Sequence, residues 1–227
     1  MRRAAVLLLI VFVLIVFCAI LAVNSMGVVQ RLARITAIRG AVEMKAPGTD
    51  QFEPVTEEQN ARAGTIIRTG RDGHATLFWP GDGTRLRVDP GTTLTIDKCQ
   101  FGKRQSTEVS QFALTVGRVW VQVVKMLSAE SKFEISTPTA TAGVRGTTFS
   151  IEVAPDGRTD ILVYEGQVEV QAKESGNSFG VKQGYAIDVA NGGNADLREL
   201  DAKEKADSPV PTEASSPSPQ STVPPSG

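Results

Sequence analysis

"GTTFSIEVAPDGRTDILVYEGQVEV", Gly146 to Val170, is the stretch whose reading decides the fold. Its apolar residues alternate with polar ones: Phe149, Ile151 and Val153 precede the "PDG" turn that ends at Gly157, and Val168 and Val170 close the stretch. A period of two belongs to a strand with one face in the core and one in water. At the turn, glycine accepts positive φ and the aspartate bonds the local backbone, so the chain can reverse. Gly166 plays another part. It lies between two β-branched runs, where a missing side chain lets the chain round a corner and start a new strand without a Cβ clash.

The same plan recurs upstream. From Gly73, "GHATLFWPGDGTRLRVDPGTTLTI" gives strand, Asp-Gly turn, strand, glycine, strand, with single-residue differences in spacing. The smaller unit, a glycine between two strand-like runs, also appears in "AIRGAVEM" and "TVGRVWVQV". Repeated strand, corner, strand units predict an all-β domain of short strands, either a twisted solenoid or a two-sheet roll; periodicity leaves both open. The domain is expected over Ile35 to Ala190. "TEEQNA" near Thr56 and "KMLSAES" near Lys125 are expected to make a helical turn or two at most.

Composition limits the function. The 227 residues hold one ordinary domain with extensions, and 24 Lys and Arg balance 25 Asp and Glu, so no field of one sign would draw nucleic acid. From Ala4 to Val23 every residue is apolar, long enough to cross a membrane as a helix and longer than the apolar part of a secretory signal. It is read as a transmembrane signal anchor, followed by a juxtamembrane linker over residues 24–34. Arg2 and Arg3 favour an inside N-terminus, while Arg31, Arg34 and Arg39 offset them. The expected product is a single-pass inner-membrane protein with a periplasmic C-terminal domain. Val23 and Ser25 loosely fit a cleavage rule, and cleavage would make the domain a secreted one. Residues 191–207 are expected to form a linker, with a short helix from Ala195 to Ala206 using Leu197 and Leu200. The Pro/Ser-rich tail, Ser208 to Gly227, cannot bury enough apolar surface to order itself.

The string "TPTATAGVRGTTF", Thr137 to Phe149, resembles the signature of the FecR domain family, TPxAxxGVRGTxF. "GTIIRTGRDGHATLFWPGDGTRLRV", "LTVGRVWVQV" and "VYEGQVEVQ" resemble that family's other segments in the same order, so the resemblance covers roughly Gly40 to Val189. It implies an all-β extracytoplasmic domain that acts through protein contacts and has no catalytic activity. The family's best-known regulators place an anti-sigma segment before the membrane helix and a receptor-contacting domain after the module. Here Met1 to Arg3 are too short for the first and the Pro/Ser tail stands in place of the second, so only the module itself carries over.

The signature residues, Thr137, Pro138, Gly143, Val144, Arg145, Gly146, Thr147 and Phe149, are read mainly as architecture. Gly143 and Gly146 are expected to take backbone angles other residues resist, Pro138 to fix the approach, and Arg145 to tie down carbonyls at the corner. The other role for Arg145 is pairing with a carboxylate of a partner protein.

Enzyme chemistry finds few candidates. The one histidine, His74, lies in a turn and is read as solvated. Cys18 lies in the apolar run and Cys99 is read as a lone strand-edge thiol, so neither a disulfide within the domain nor a zinc cluster is expected. Asp72, Asp82, Asp89 and Asp156 are read as turn caps rather than a catalytic pair or calcium site. Trp79 and Trp120 are read as core, though on one exposed face they would make a sugar-stacking platform. The expected protein is therefore a non-enzymatic, membrane-anchored module without catalytic, metal or cofactor residues, presenting a protein-interaction surface in envelope signalling, regulation or assembly. The alternative is a secreted or wall-associated module binding glycan or peptidoglycan. Open sheet edges leave homo-oligomers possible.

Overall fold

A computed structural model describes residues 13–17, 27–103, 106–124 and 128–207. The strands are β1 (Val28–Gln30), β2 (Ala33–Arg39), β3 (Val42–Lys45), β4 (Glu53–Pro54), β5 (Gln59–Ala61), β6 (Ile66–Thr69), β7 (His74–Phe78), β8 (Arg85–Val88) and β9 (Thr93–Gly102). They continue as β10 (Thr107–Gln122), β11 (Lys132–Ser136), β12 (Ala140–Val144), β13 (Thr148–Val153), β14 (Thr159–Glu165), β15 (Gln167–Ala172), β16 (Ser178–Lys182), β17 (Tyr185–Val189) and β18 (Ala195–Glu199), before a short helix α1 (Ala202–Ala206).

These strands form a curled, two-sheeted half-barrel. The first sheet runs β4-β3-β6-β9-β10-β11-β12-β15-β16, with β1 beside the far end of β9. The second runs β5-β2-β7-β8-β10-β13-β14-β17-β18. β10 belongs to both: it pairs in the first sheet up to Val116 and in the second from Gly117. Neighbours are antiparallel except β10 and β11. A winding solenoid would stack parallel neighbours, so the pairing is that of a roll.

The corners lie where the glycine spacing puts them. The chain crosses between the sheets at Gly40, Gly91, Gly117, Gly146, Gly166 and Gly184, each with positive φ. Gly117 shows why. Its φ is +93°, and a Cβ there would lie 2.4 Å from Thr92 Oγ1 and 2.8 Å from the Gly91 carbonyl oxygen, so both backbone and space exclude a side chain. Buried threonines knit adjacent corners together: Thr92 Oγ1 accepts from the Arg118 N–H (3.0 Å), and Thr69 Oγ1 donates to the Asp89 carbonyl (2.7 Å) while accepting from the Thr92 N–H (2.9 Å). The two related stretches share one plan. β7 and β8 make a hairpin in the second sheet before Gly91 leads to β9 in the first, and β13 and β14 do the same before Gly166 leads to β15.

The alternating residues meet between the sheets. Ile35, Leu77, Leu86, Val121, Phe149, Ile151 and Ile161 face Ile67, Leu94, Phe112, Phe133, Ile135 and Val168 in one cluster. Burying each such side chain contributes about 1.5–3 kcal/mol, far above the tenths to 1 kcal/mol of an exposed ion pair, so the pattern of two fixes the register.

Several expectations are corrected. Strands extend past both ends of the Ile35–Ala190 interval, since β1 pairs with β9 and β18 with β17. Ala195 to Glu199 is strand rather than helix, and only Ala202–Ala206 is helical. Residues Gln59 to Ala61 of "TEEQNA" are strand β5. Of the expected membrane span, residues 13–17 are described and helical. The rest of that span lies outside the described residues, among which no helix is long and apolar enough to cross a membrane. The tail from Ser208 also lies outside the described residues, as do residues 125–127 of "KMLSAES".

Candidate protein-binding groove

Strand register places the signature residues in two layers. Val144 and Phe149 point inward and are buried. Thr137 opens the hairpin between β11 and β12, where its hydroxyl accepts from the Ala140 N–H (2.9 Å) and from Thr159 Oγ1 (2.8 Å). Thr139 extends that buried chain by donating to Thr159 Oγ1 (2.7 Å), and Pro138 stands between them. Thr139 and Thr159 were not singled out from the sequence; threonines flanking a turn give no signal of their own. Gly146 makes the corner with φ +62°, and Thr147 beside it donates to the Gln167 carbonyl (2.9 Å).

Gly143 corrects the expectation for it. It lies inside β12 without positive φ, between Glu134 of β11 and Glu169 of β15. A Cβ there would meet one atom, the Glu169 carbonyl oxygen, at 3.9 Å, which is ordinary contact. Its missing side chain instead leaves a bare strip on the outer face of the first sheet. The strip floors a groove of about 440 Å³ walled by Glu134, Gln167 and Glu169, with Lys132 and Arg145 at one end.

The charges along the groove are ordered. Gln111 Nε2 donates to Glu134 Oε2 (2.7 Å) and Gln167 Nε2 to Glu169 Oε1 (2.8 Å), which fixes a carboxylate on the strand to either side of Gly143 and leaves the space over the glycine clear. Two residues along the same face, Arg145 donates from Nη2 to the Ser128 carbonyl (2.7 Å). That bond reaches the segment before β11 rather than the corner, because alternation turns Arg145 outward when Val144 points in. Among the described residues that is the one hydrogen bond its side chain makes, and the guanidinium, which carries several donors, also lines the groove. The groove thus has an acidic middle and a basic end.

Residues 65–169 match the family model described as FecR protein. These residues are a FecR domain. The match runs from the start of β6 into β15 and holds the signature string, both Asp-Gly hairpins and the shared strand β10; the resemblance read from the motifs was wider, Gly40 to Val189. No curated protein matches the chain significantly. Two crystal structures of candidate anti-sigma factors from Parabacteroides distasonis ATCC 8503 are similar at 20% identity, with TM-scores of 0.48 and 0.49. Each comparison spans 61% of this chain and 61% of the other. Neither reaches the level at which a shared fold is established.

The opposite outer face of the roll is closed. Trp120 stacks on Tyr164 with ring centroids 5.2 Å apart, and Leu200, just after β18, covers them with Ala186 and Leu162. Trp120 Nε1 donates to Asp89 Oδ2 (2.7 Å), and the Arg87 guanidinium lies 4.9 Å from the indole centroid while bonding Asp89. Arg198 of β18 ties the C-terminal segment down by bonding Glu204 of α1 (2.8 Å) and Asp160 (3.1 Å). Burial pushes the Asp160 carboxyl up to about 6, with the Arg198 charge only partly opposing it.

The remaining candidates are dispersed. Trp79 is buried, edge-on to Phe112 at 5.6 Å, so the two tryptophans make no shared platform. Cys99 is buried inside the first sheet rather than at a strand edge; it accepts from Trp79 Nε1 (3.0 Å), and burial raises its thiol above the usual range. Asp82 and Asp156 cap the N–H groups of Thr84 and Arg158. Asp72 approaches the Ala41 N–H at 3.4 Å, whereas Asp89 serves Trp120 and Arg87. His74 opens β7 with Nδ1 3.9 Å from Asp89 Oδ1. Among the described residues no group of three His, Cys, Asp or Glu is placed to hold a metal ion.

Proposed function

We propose that this FecR domain is a non-enzymatic interaction module, anchored by its N-terminal apolar segment and held outside the cytoplasm, which binds a partner protein in envelope signalling or regulation. One observation carries the reading: Gly143, within the signature string, floors the groove, and Arg145 of the same string ends it. A glycine in mid-strand weakens a strand unless a backbone or ligand approaches closely, and the uncrowded surroundings of Gly143 leave that approach to come from outside. The ordered charges fit an extended peptide segment with a basic side chain over Gly143, between Glu134 and Glu169, and an acidic one at Arg145.

Formaldehyde cross-linking in cells, comparing wild type with Gly143→Gln, tests this. A side chain at position 143 fills the groove floor while the roll stays intact. The expected result is loss of the cross-linked complex with an unchanged melting temperature. A complex that survives the substitution would overturn the groove as the binding site, and quantitative release by alkaline carbonate would remove the anchored part of the reading.

A further inference from the structure

A sheet that does not close has edges, and the five edge strands of this roll differ in their protection. β4 has two residues, one of them Pro54, which cannot donate. β1 and β5 have three residues each. β18 carries Asp196, Arg198 and Glu199 and is followed by α1. β16, "SFGVK", has five residues, no proline and a single charge at its end. Among the described residues nothing pairs with its outer side.

The hydrogen-bond phase of that strand is fixed from both ends. The Ala172 N–H donates to the Asn177 carbonyl (2.9 Å) and the Gln183 N–H to the Gly166 carbonyl (3.0 Å). With the register Val170 to Phe179 and Val168 to Val181, the inward-bonding residues of β16 are Phe179 and Val181. The backbone groups of Ser178, Gly180 and Lys182 therefore point out of the sheet edge.

We infer that β16 is a homodimer edge, pairing antiparallel with β16 of a second copy about a two-fold axis at Gly180. The strand is self-complementary in that register. Gly180 faces Gly180 of the second copy, with no side chain at the axis. Ser178 faces Lys182 on the outer surface, and Phe179 faces Val181 on the core side. No like charges meet, and the three outward-facing residues find partners for both backbone groups. Phe179 already packs against the core, so pairing continues the first sheet and its buried layer across the axis. An isologous contact of this kind closes at two copies and leaves no β16 edge open to further addition.

The test uses charge at position 178, which is exposed in the free chain. The full chain in detergent is examined by analytical ultracentrifugation over a concentration series. Wild type is expected to dimerise reversibly. Ser178→Lys sets two like-charged pairs across the axis and is expected to weaken the dimer about tenfold. Ser178→Glu should tighten it, and Ser178→Lys with Lys182→Glu should restore it, with unchanged circular dichroism throughout. A chain that stays monomeric at every concentration overturns the inference. So does an association indifferent to these substitutions, which would place the contact elsewhere.

Discussion

The two outer faces of the roll are built on the same alternating strands and end in opposite states. On the second sheet Trp120 and Tyr164 stack, Leu200 covers them, and the Arg198 bonds to Asp160 and Glu204 hold the covering segment in place. On the first sheet the matching surface carries Gly143, and glutamates on the two neighbouring strands flank its bare backbone. A large aromatic on an outward position calls for a cover, because leaving it in water forfeits several kcal/mol. A glycine there calls for none, and the surface remains free for another molecule. One face is thus spent on the chain's own C-terminal segment while the other is available.

The sharpest way to break this contrast is to uncover the closed face. Trp120→Ala removes the stacked ring and the seat of Leu200, and is expected to cost about 3 kcal/mol in urea unfolding and to speed amide exchange in α1. Leu200→Ala should cost about 2 kcal/mol and free α1 in the same way. Neither should touch the cross-linked complex. If either abolishes it without unfolding the roll, the closed face is the one that binds.

Asp160 sharpens the comparison through pH. Its carboxyl binds a proton more tightly in the folded state than its ordinary value of 3.8 would allow, so protonation favours the fold. This contribution grows as pH falls through about 6 and is complete near pH 4, the opposite sense from a carboxylate stabilised by its partner. Asp160→Asn carries the neutral form at every pH. It should be more stable than wild type by on the order of 1 kcal/mol at about pH 7.5, with the gap closing by about pH 4. A constant gap would remove the titration from this site. The smallest effect belongs to the open face: Arg145→Ala, exposed and holding one carbonyl, should cost less than about 1 kcal/mol.

Much of the architecture was legible because it rests on local rules. Alternation gave the strands, Asp-Gly pairs gave the hairpins, and glycines such as Gly117 and Gly166 gave the corners, since positive φ leaves a mark on residue choice. Gly143 was misread because it stands three residues from Gly146, so one corner looked like two. Its true neighbours, Glu134 and Glu169, come from strands whose register no local pattern displays. Leu197 and Leu200 have helical spacing, yet pairing with β17 outweighs that preference over Ala195–Glu199. Cys99 and Trp79 meet across separate strands, and the cover over Trp120 arrives from a segment about eighty residues away, so neither could be seen before folding was known.

The most direct test of the two-face account is a photo-reactive amino acid placed in living cells at Glu169, beside Gly143, and separately at Arg87, beside Trp120. The account expects a protein adduct from position 169 and none from position 87. An adduct from position 87 with none from position 169 would contradict it.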